Sequence, residues 1–104
     1  MAINSEIIEL SKTFIKALES KNIHIEEAYI FGSYAKETNH KYSDIDLALI
    51  SGSFSGVRFD DNVKIINNTP HNFVDIETHP FRPEDFTKDN PFVEEILKDG
   101  FKII

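Results

Sequence analysis

The stretch Ser43-Asp44-Ile45-Asp46-Leu47-Ala48-Leu49-Ile50 decides how this chain is read. Its side chains alternate as a β-strand requires: Ile45, Leu47 and Leu49 fall on one face, and Asp44, Asp46, Ala48 and Ile50 on the other. The first face is wholly apolar and suits a core. The second carries two carboxylates, and residues two apart on a strand point the same way. Anions held side by side repel, and a divalent cation removes that penalty. A ligand set of oxygens alone points to Mg²⁺ or Mn²⁺ rather than zinc.

Upstream, Ala28-Tyr29-Ile30-Phe31 reads as a short buried strand that stops at Gly32-Ser33, a turn able to open a helix. A glycine lets the backbone approach a ligand closely, and free N–H groups at a helix start favour a phosphate. Residues 34–38 suit that short helix, and Lys36, one turn in, is placed to contact the same anion. Before the strand, the sequence predicts a helix over Ser5–Lys21. Ser5 is its N-cap, Glu6 and Glu9 suit the first turn, and Ile3, Ile7, Leu10, Phe14 and Leu18 form one stripe. Asn22 is its expected end.

Downstream, Ser51–Asp61 reads as a flexible loop, Val63–Ile66 as either a helix end or a strand, and Asn67–Pro70 as a turn. Asn72–Thr78 is expected to be a third strand. It repeats the acidic device: Asp75 and Glu77 are two apart, with Val74 and Ile76 facing the opposite way. Either acid could complete a three-carboxylate site. Two metal ions bridged by such a set can activate an attacking oxygen and stabilise a leaving phosphate. Pro80 and Pro83 are expected to bracket a loop, with a helical turn at Glu84–Phe86. A last helix is marked by Asn90 as cap, Pro91 at the first helical position, Glu94 and Glu95 after it and Gly100 beyond its end; Phe101–Ile104 suits a final strand. The order predicts one α/β or α+β domain over residues 1–104, with a small mixed sheet flanked by helices.

Composition narrows the function. Of 104 residues 40% are apolar, with nine Phe and three Tyr, enough for a modest core and against disorder. No apolar run approaches the ~18–20 residues of a membrane span. Cysteine is absent, which removes disulfides and thiolate metal sites. A soluble cytoplasmic protein is expected. The net charge of −7 argues against direct binding of DNA or RNA, which needs clustered Lys and Arg. His24, His40, His71 and His79 are scattered and read as structural or surface groups, with His79 the one to watch because it follows the third strand. Phe14, Phe31, Phe73, Phe86 and Phe92 read as core.

Gly32-Ser33-Tyr34-Ala35-Lys36, the ten residues between Ser33 and Asp44, and Ser43-Asp44-Ile45-Asp46-Leu47-Ala48 together resemble the minimal nucleotidyltransferases of the DNA polymerase β-like superfamily. The likeness extends over nearly the whole chain, including the third-strand acid and the tail His79-Pro80-Phe81-Arg82-Pro83-Glu84-Asp85-Phe86. It implies the nucleotidyltransferase fold, with Gly32 and Ser33 holding nucleotide phosphates and Asp44 and Asp46 binding metal, as two Mg²⁺ ions with ATP as substrate. For the third carboxylate, position in the strand favours Asp75, while the Glu-x-His-Pro-Phe stretch beginning at Glu77 looks like a family pattern. One departure is Glu37, where family members often carry glycine. The resemblance further implies a HEPN-domain partner of the toxin–antitoxin kind, neutralised by transfer of AMP from ATP to a partner tyrosine. The alternative it leaves open is a catalytically weak antitoxin that masks a HEPN RNase by contact alone.

Overall fold

Alternation on the two inner strands organises the whole molecule. A computed structural model describes residues 5–32, 34–35, 44–70 and 75–104. Within them β1 (Glu27–Phe31) pairs antiparallel with β2 (Ile45–Ile50), β2 pairs parallel with β3 (Ile76–Phe81), and the short β4 (Phe101–Lys102) lies antiparallel on the other side of β1. The sheet is therefore mixed, in the order β3-β2-β1-β4. Helices α1 (Ser5–Glu19), α2 (Arg58–Asn67) and α3 (Pro91–Asp99) flank it.

The predicted faces hold. Ala28, Ile30, Ile45, Leu47 and Leu49 pack with Phe14, Ile15 and Leu18 of α1, with Phe54 and with Ile65 of α2. Tyr29, Phe31, Ala48 and Ile50 face the other way, against Ile96 of α3 and the rings of Phe81 and Phe86. Each fully buried aliphatic side chain in such a core is worth about 1.5–3 kcal/mol. Asp46 shares the second face, so the pleat that buries Leu47 also brings the acid out beneath α3's end of the sheet.

The ends of α3 follow their sequence signals. Asn90 caps α3, its side chain accepting the N–H of Phe92 at 3.0 Å, and Pro91 opens the helix. The first helix stops two residues before Lys21, and Asn22 adopts φ 65°, the left-handed conformation that Asn tolerates. Ile3 and Phe73 lie outside the described residues.

The sequence reading needs correction in the 51–81 region. Ser51–Asp61 is not a free loop. Ser51 and Phe54 are buried, and the buried Asp61 carboxylate accepts the N–H of Ser55 at 2.7 Å and of Gly56 at 3.0 Å, which ties the segment into the start of α2. Val63–Ile66, which the sequence leaves between a helix end and a strand, is helical, inside α2. The third strand is observed over Ile76–Phe81, residues 72–74 of the expected strand lying outside the described residues, and it runs through Pro80, which the sequence assigns to a loop. Proline is tolerated there because β3 is an edge strand. The carbonyls of Asp75 and Phe81 accept N–H groups of Ile45 and Ser51, so odd-numbered residues turn their backbone toward β2 and the nitrogen of Pro80 turns outward. No helix among the described residues is long and apolar enough to cross a membrane.

Candidate functional site

The site is built across three adjacent strands at one level. Asp46 on β2 is in register with Phe31 on β1 and Glu77 on β3. Residues in register on neighbouring strands project to the same face, so the Asp46 and Glu77 carboxylates stand side by side. His79 lies two residues beyond Glu77 and shares that face. Ligand atoms of Asp46, Glu77 and His79 fall within 4.8 Å of one another. Asp46 is half-buried, Glu77 exposed and His79 buried.

β1 is followed directly by Gly32, where φ is +73°. A Cβ added to Gly32 would run into the Asp46 carboxylate. Glycine is thus required twice over, for the left-handed backbone and for the room Asp46 occupies. Asp44 is exposed and immediately precedes β2, and its carboxylate is not among the ligand atoms gathered around Asp46. Asp75 is also exposed, one residue before β3, and its carbonyl accepts the Ile45 N–H at 2.7 Å. The structure therefore places Glu77, not Asp75, level with Asp46. Ser33, Lys36 and Glu37, together with Ser43, lie outside the described residues, as does most of the short helix expected over 34–38.

His79 is held from all sides. Its Nε2 lies 3.2 Å from Asp46 Oδ1, and its Nδ1 lies 2.9 Å from Nη2 of Arg58, which reaches round the sheet edge from the first turn of α2. The Phe31 ring meets the imidazole edge-on with centroids 4.9 Å apart, and Phe92 stands at 5.8 Å. His79 therefore lies within the third strand, not after it, and is neither a surface group nor a filler of the core. Beside it opens a groove of about 440 Å³ lined by Arg58, His79, Phe81, Arg82, Asn90 and Phe92. Phe92, read as core from sequence, is partly exposed along this groove. Arg82 is tied to Asp85 by two hydrogen bonds, of 2.6 and 3.0 Å, and that guanidinium holds the Asp85 carboxyl below its usual value.

Sequence reasoning missed Arg58 because it assigned residue 58 to a loop. The contact of His79 had a signal: once the strand is continued to Phe81, the alternation of Glu77, His79 and Phe81 puts the imidazole beside the acids. Of the other histidines, His24 is exposed against Glu19, and His40 and His71 lie outside the described residues.

Chemically, the Asp46–Glu77 pair fits a hard divalent cation. Like charges at this range repel, both groups offer oxygen, and the exposed Glu77 leaves access from solvent for a hydrated ion and its ligands.

Residues 11–104 match the family described as nucleotidyltransferase domain. A search of curated proteins found no match. Among solved structures, a nucleotidyltransferase candidate from Sulfolobus solfataricus is similar at 21% identity and a TM-score of 0.66, over 93% of this chain and 78% of that one. A toxin–antitoxin structure with AMP-PNP is similar at 20% identity and a TM-score of 0.59, over 89% of this chain and 71% of that one. The toxin–antitoxin MntA–HpeT, as a mutant with two Asp→Glu replacements two positions apart, is similar at 18% identity and a TM-score of 0.57, with the same coverage.

Proposed function

The chain belongs to the nucleotidyltransferase domain family, and from that premise we propose that it transfers a nucleoside monophosphate from a nucleoside triphosphate to a hydroxyl, AMP from ATP onto a tyrosine of a HEPN-domain partner. The observation that carries the reading is the level placement of Asp46 and Glu77 beside the glycine turn at Gly32. The finer points, ATP and a toxin partner, rest on the likeness to a toxin–antitoxin structure with AMP-PNP and to MntA–HpeT.

Asp44, Asp46 and Glu77 would hold Mg²⁺ through carboxylate oxygens. When bound, the cations supply charge stabilisation for the reacting phosphates and make the acceptor hydroxyl more acidic. The remaining work falls to the chain. Gly32 and Ser33 would hold the β- and γ-phosphates through backbone N–H groups, with Lys36 as a further cation for them, roles that rest on the sequence motif. The acceptor oxygen forms a bond to the α-phosphorus, the bond from that phosphorus to the bridging oxygen breaks, and pyrophosphate leaves with that electron pair. Glu77, at the exposed side of the pair, takes the hydroxyl proton. Asp46, fixed between Gly32 and His79, keeps the acidic set in place through the step.

The test is co-expression with the genomic neighbour, addition of ATP and Mg²⁺, and intact mass of the partner. Wild type is expected to add one or more AMP units and Asp46→Asn none. Wild-type modification in the presence of Asp46→Asn overturns the mechanism. A partner that stays unmodified yet co-purifies and is neutralised identifies the chain as an antitoxin acting by contact.

A further inference from the structure

The acidic set includes one group whose chemistry differs from the rest. His79 is close enough to Asp46 and Glu77 to be a third donor to a cation. Its hydrogen bonds argue for another role, and this inference rests on the metal-binding reading above. We propose that His79 is a positioning residue that holds the Asp46 carboxylate, with Arg58 setting its tautomer, and that it does not itself bind the cation.

A guanidinium has hydrogens to donate and no acceptor atom. Arg58 Nη2 at 2.9 Å from His79 Nδ1 therefore requires a lone pair on Nδ1. The hydrogen of the neutral ring then resides on Nε2, which faces Asp46 Oδ1 at 3.2 Å and donates to it. Metal ligation by Nε2 would need the opposite tautomer, with N–H of Nδ1 pointing at N–H of Arg58. Ring rotation offers no escape, because the imidazole is buried between Phe31 and Phe92. The outcome is a chain of two hydrogen bonds that runs from α2 through β3 to β2. Asp46 is fixed by the imidazole at one oxygen and confined by Gly32 near the other. A carboxylate held in this way meets a cation with its orientation already set.

Three measurements test this on the intact chain. The imidazole ¹⁵N spectrum of the wild type, with His79 assigned by loss of its signals in His79→Gln, is expected to show the Nε2–H tautomer; the Nδ1–H tautomer overturns the proposal. Calorimetric titration with Mn²⁺ is expected to show about 10–100-fold weaker binding for His79→Ala. His79→Gln, whose amide N–H can stand in for Nε2–H, recovers most of that loss, and Arg58→Met falls between the two. Pulsed EPR of bound Mn²⁺ is expected to show no directly bonded nitrogen; a nitrogen coupling that disappears in His79→Gln makes His79 a ligand and overturns the proposal. Unchanged Mn²⁺ affinity in His79→Ala overturns it as well, while leaving the metal-binding reading intact. A wild-type chain that binds no Mn²⁺ overturns both. Should His79→Ala fail to fold, His79→Gln and Arg58→Met carry the same comparison.

Discussion

Asp46 and Glu77 face each other across the parallel β2–β3 pair, while Asp75 stops one residue short of the strand. Both acids of the third strand fit a periodic reading of the sequence, and only register separates them. Glu77→Gln is therefore expected to slow nucleotide transfer about a thousandfold, the equivalent of roughly 4 kcal/mol of lost transition-state stabilisation. Asp75→Asn is expected to stay within about twofold of wild type, an effect near 0.5 kcal/mol. Steady-state rates of the two variants decide between them, and the reverse ranking would move the third carboxylate to Asp75.

Gly32→Ala tests the other side of Asp46. The backbone there has φ +73°, which costs a non-glycine residue about 1–2 kcal/mol, and the new methyl must displace the carboxylate. The unfolding midpoint should fall by roughly 5–15 °C. Mn²⁺ affinity of the still-folded variant should fall at least about tenfold, because the ligand loses its place. Calorimetry beside a thermal melt separates the two losses, and an unchanged affinity would show that Asp46 is not confined as described.

Asp61 is buried and ties Ser55 and Gly56 to the head of α2. Its replacement by alanine removes a charged acceptor from two backbone donors and one hydroxyl. A loss of about 2–3 kcal/mol in chemical denaturation is expected. Faster amide exchange should appear first in residues 55–58, ahead of β1 and β2. Uniform loss of protection would mean that the segment has no separate anchor.

Acid stability has one identifiable contributor at the end of α1. Glu19 accepts the N–H of Ile25 at 2.8 Å, and this bond, more than the neighbouring His24, holds its carboxyl below the ordinary 4.5. A lowered native value stabilises the fold above pH 4.5 and loses that contribution as pH falls below it toward the native value. Glu19→Gln should be less stable than wild type at neutral pH and show a shallower decline below pH 4.5. Denaturant midpoints measured from pH 7 to pH 3 give the comparison; parallel curves would remove Glu19 from the acid limb.

What could be read from sequence was whatever rests on local periodicity. The two faces of β2, the caps of α3 and the paired acids all follow from spacing within a few residues. Helix α2 escaped because its start carries no polar cap: Val57 occupies that position, and the apolar Phe59, Val63 and Ile66 point outward while Ile65 points in. With apolar residues on both sides, no stripe marks the element. Arg58 escaped with it. Its partner lies 21 residues away, and the pairing depends on β3 continuing past Pro80, a residue that on its own argues for a loop. The choice between Asp75 and Glu77 needed strand register, which alternation alone leaves undetermined by two residues.

Pro80 has an effect on assembly as well. β3 forms one border of the sheet, and its open side is a row of backbone groups that another extended chain could copy. With its nitrogen turned outward, Pro80 removes a donor from that row near its C-terminal end. At the opposite border β4 is only two residues long. Among the described residues, both margins are therefore poor templates for a further strand. A protein that associates with this domain is then expected to read side chains and helix surfaces, so its recognition can be specific in a way that generic strand addition is not.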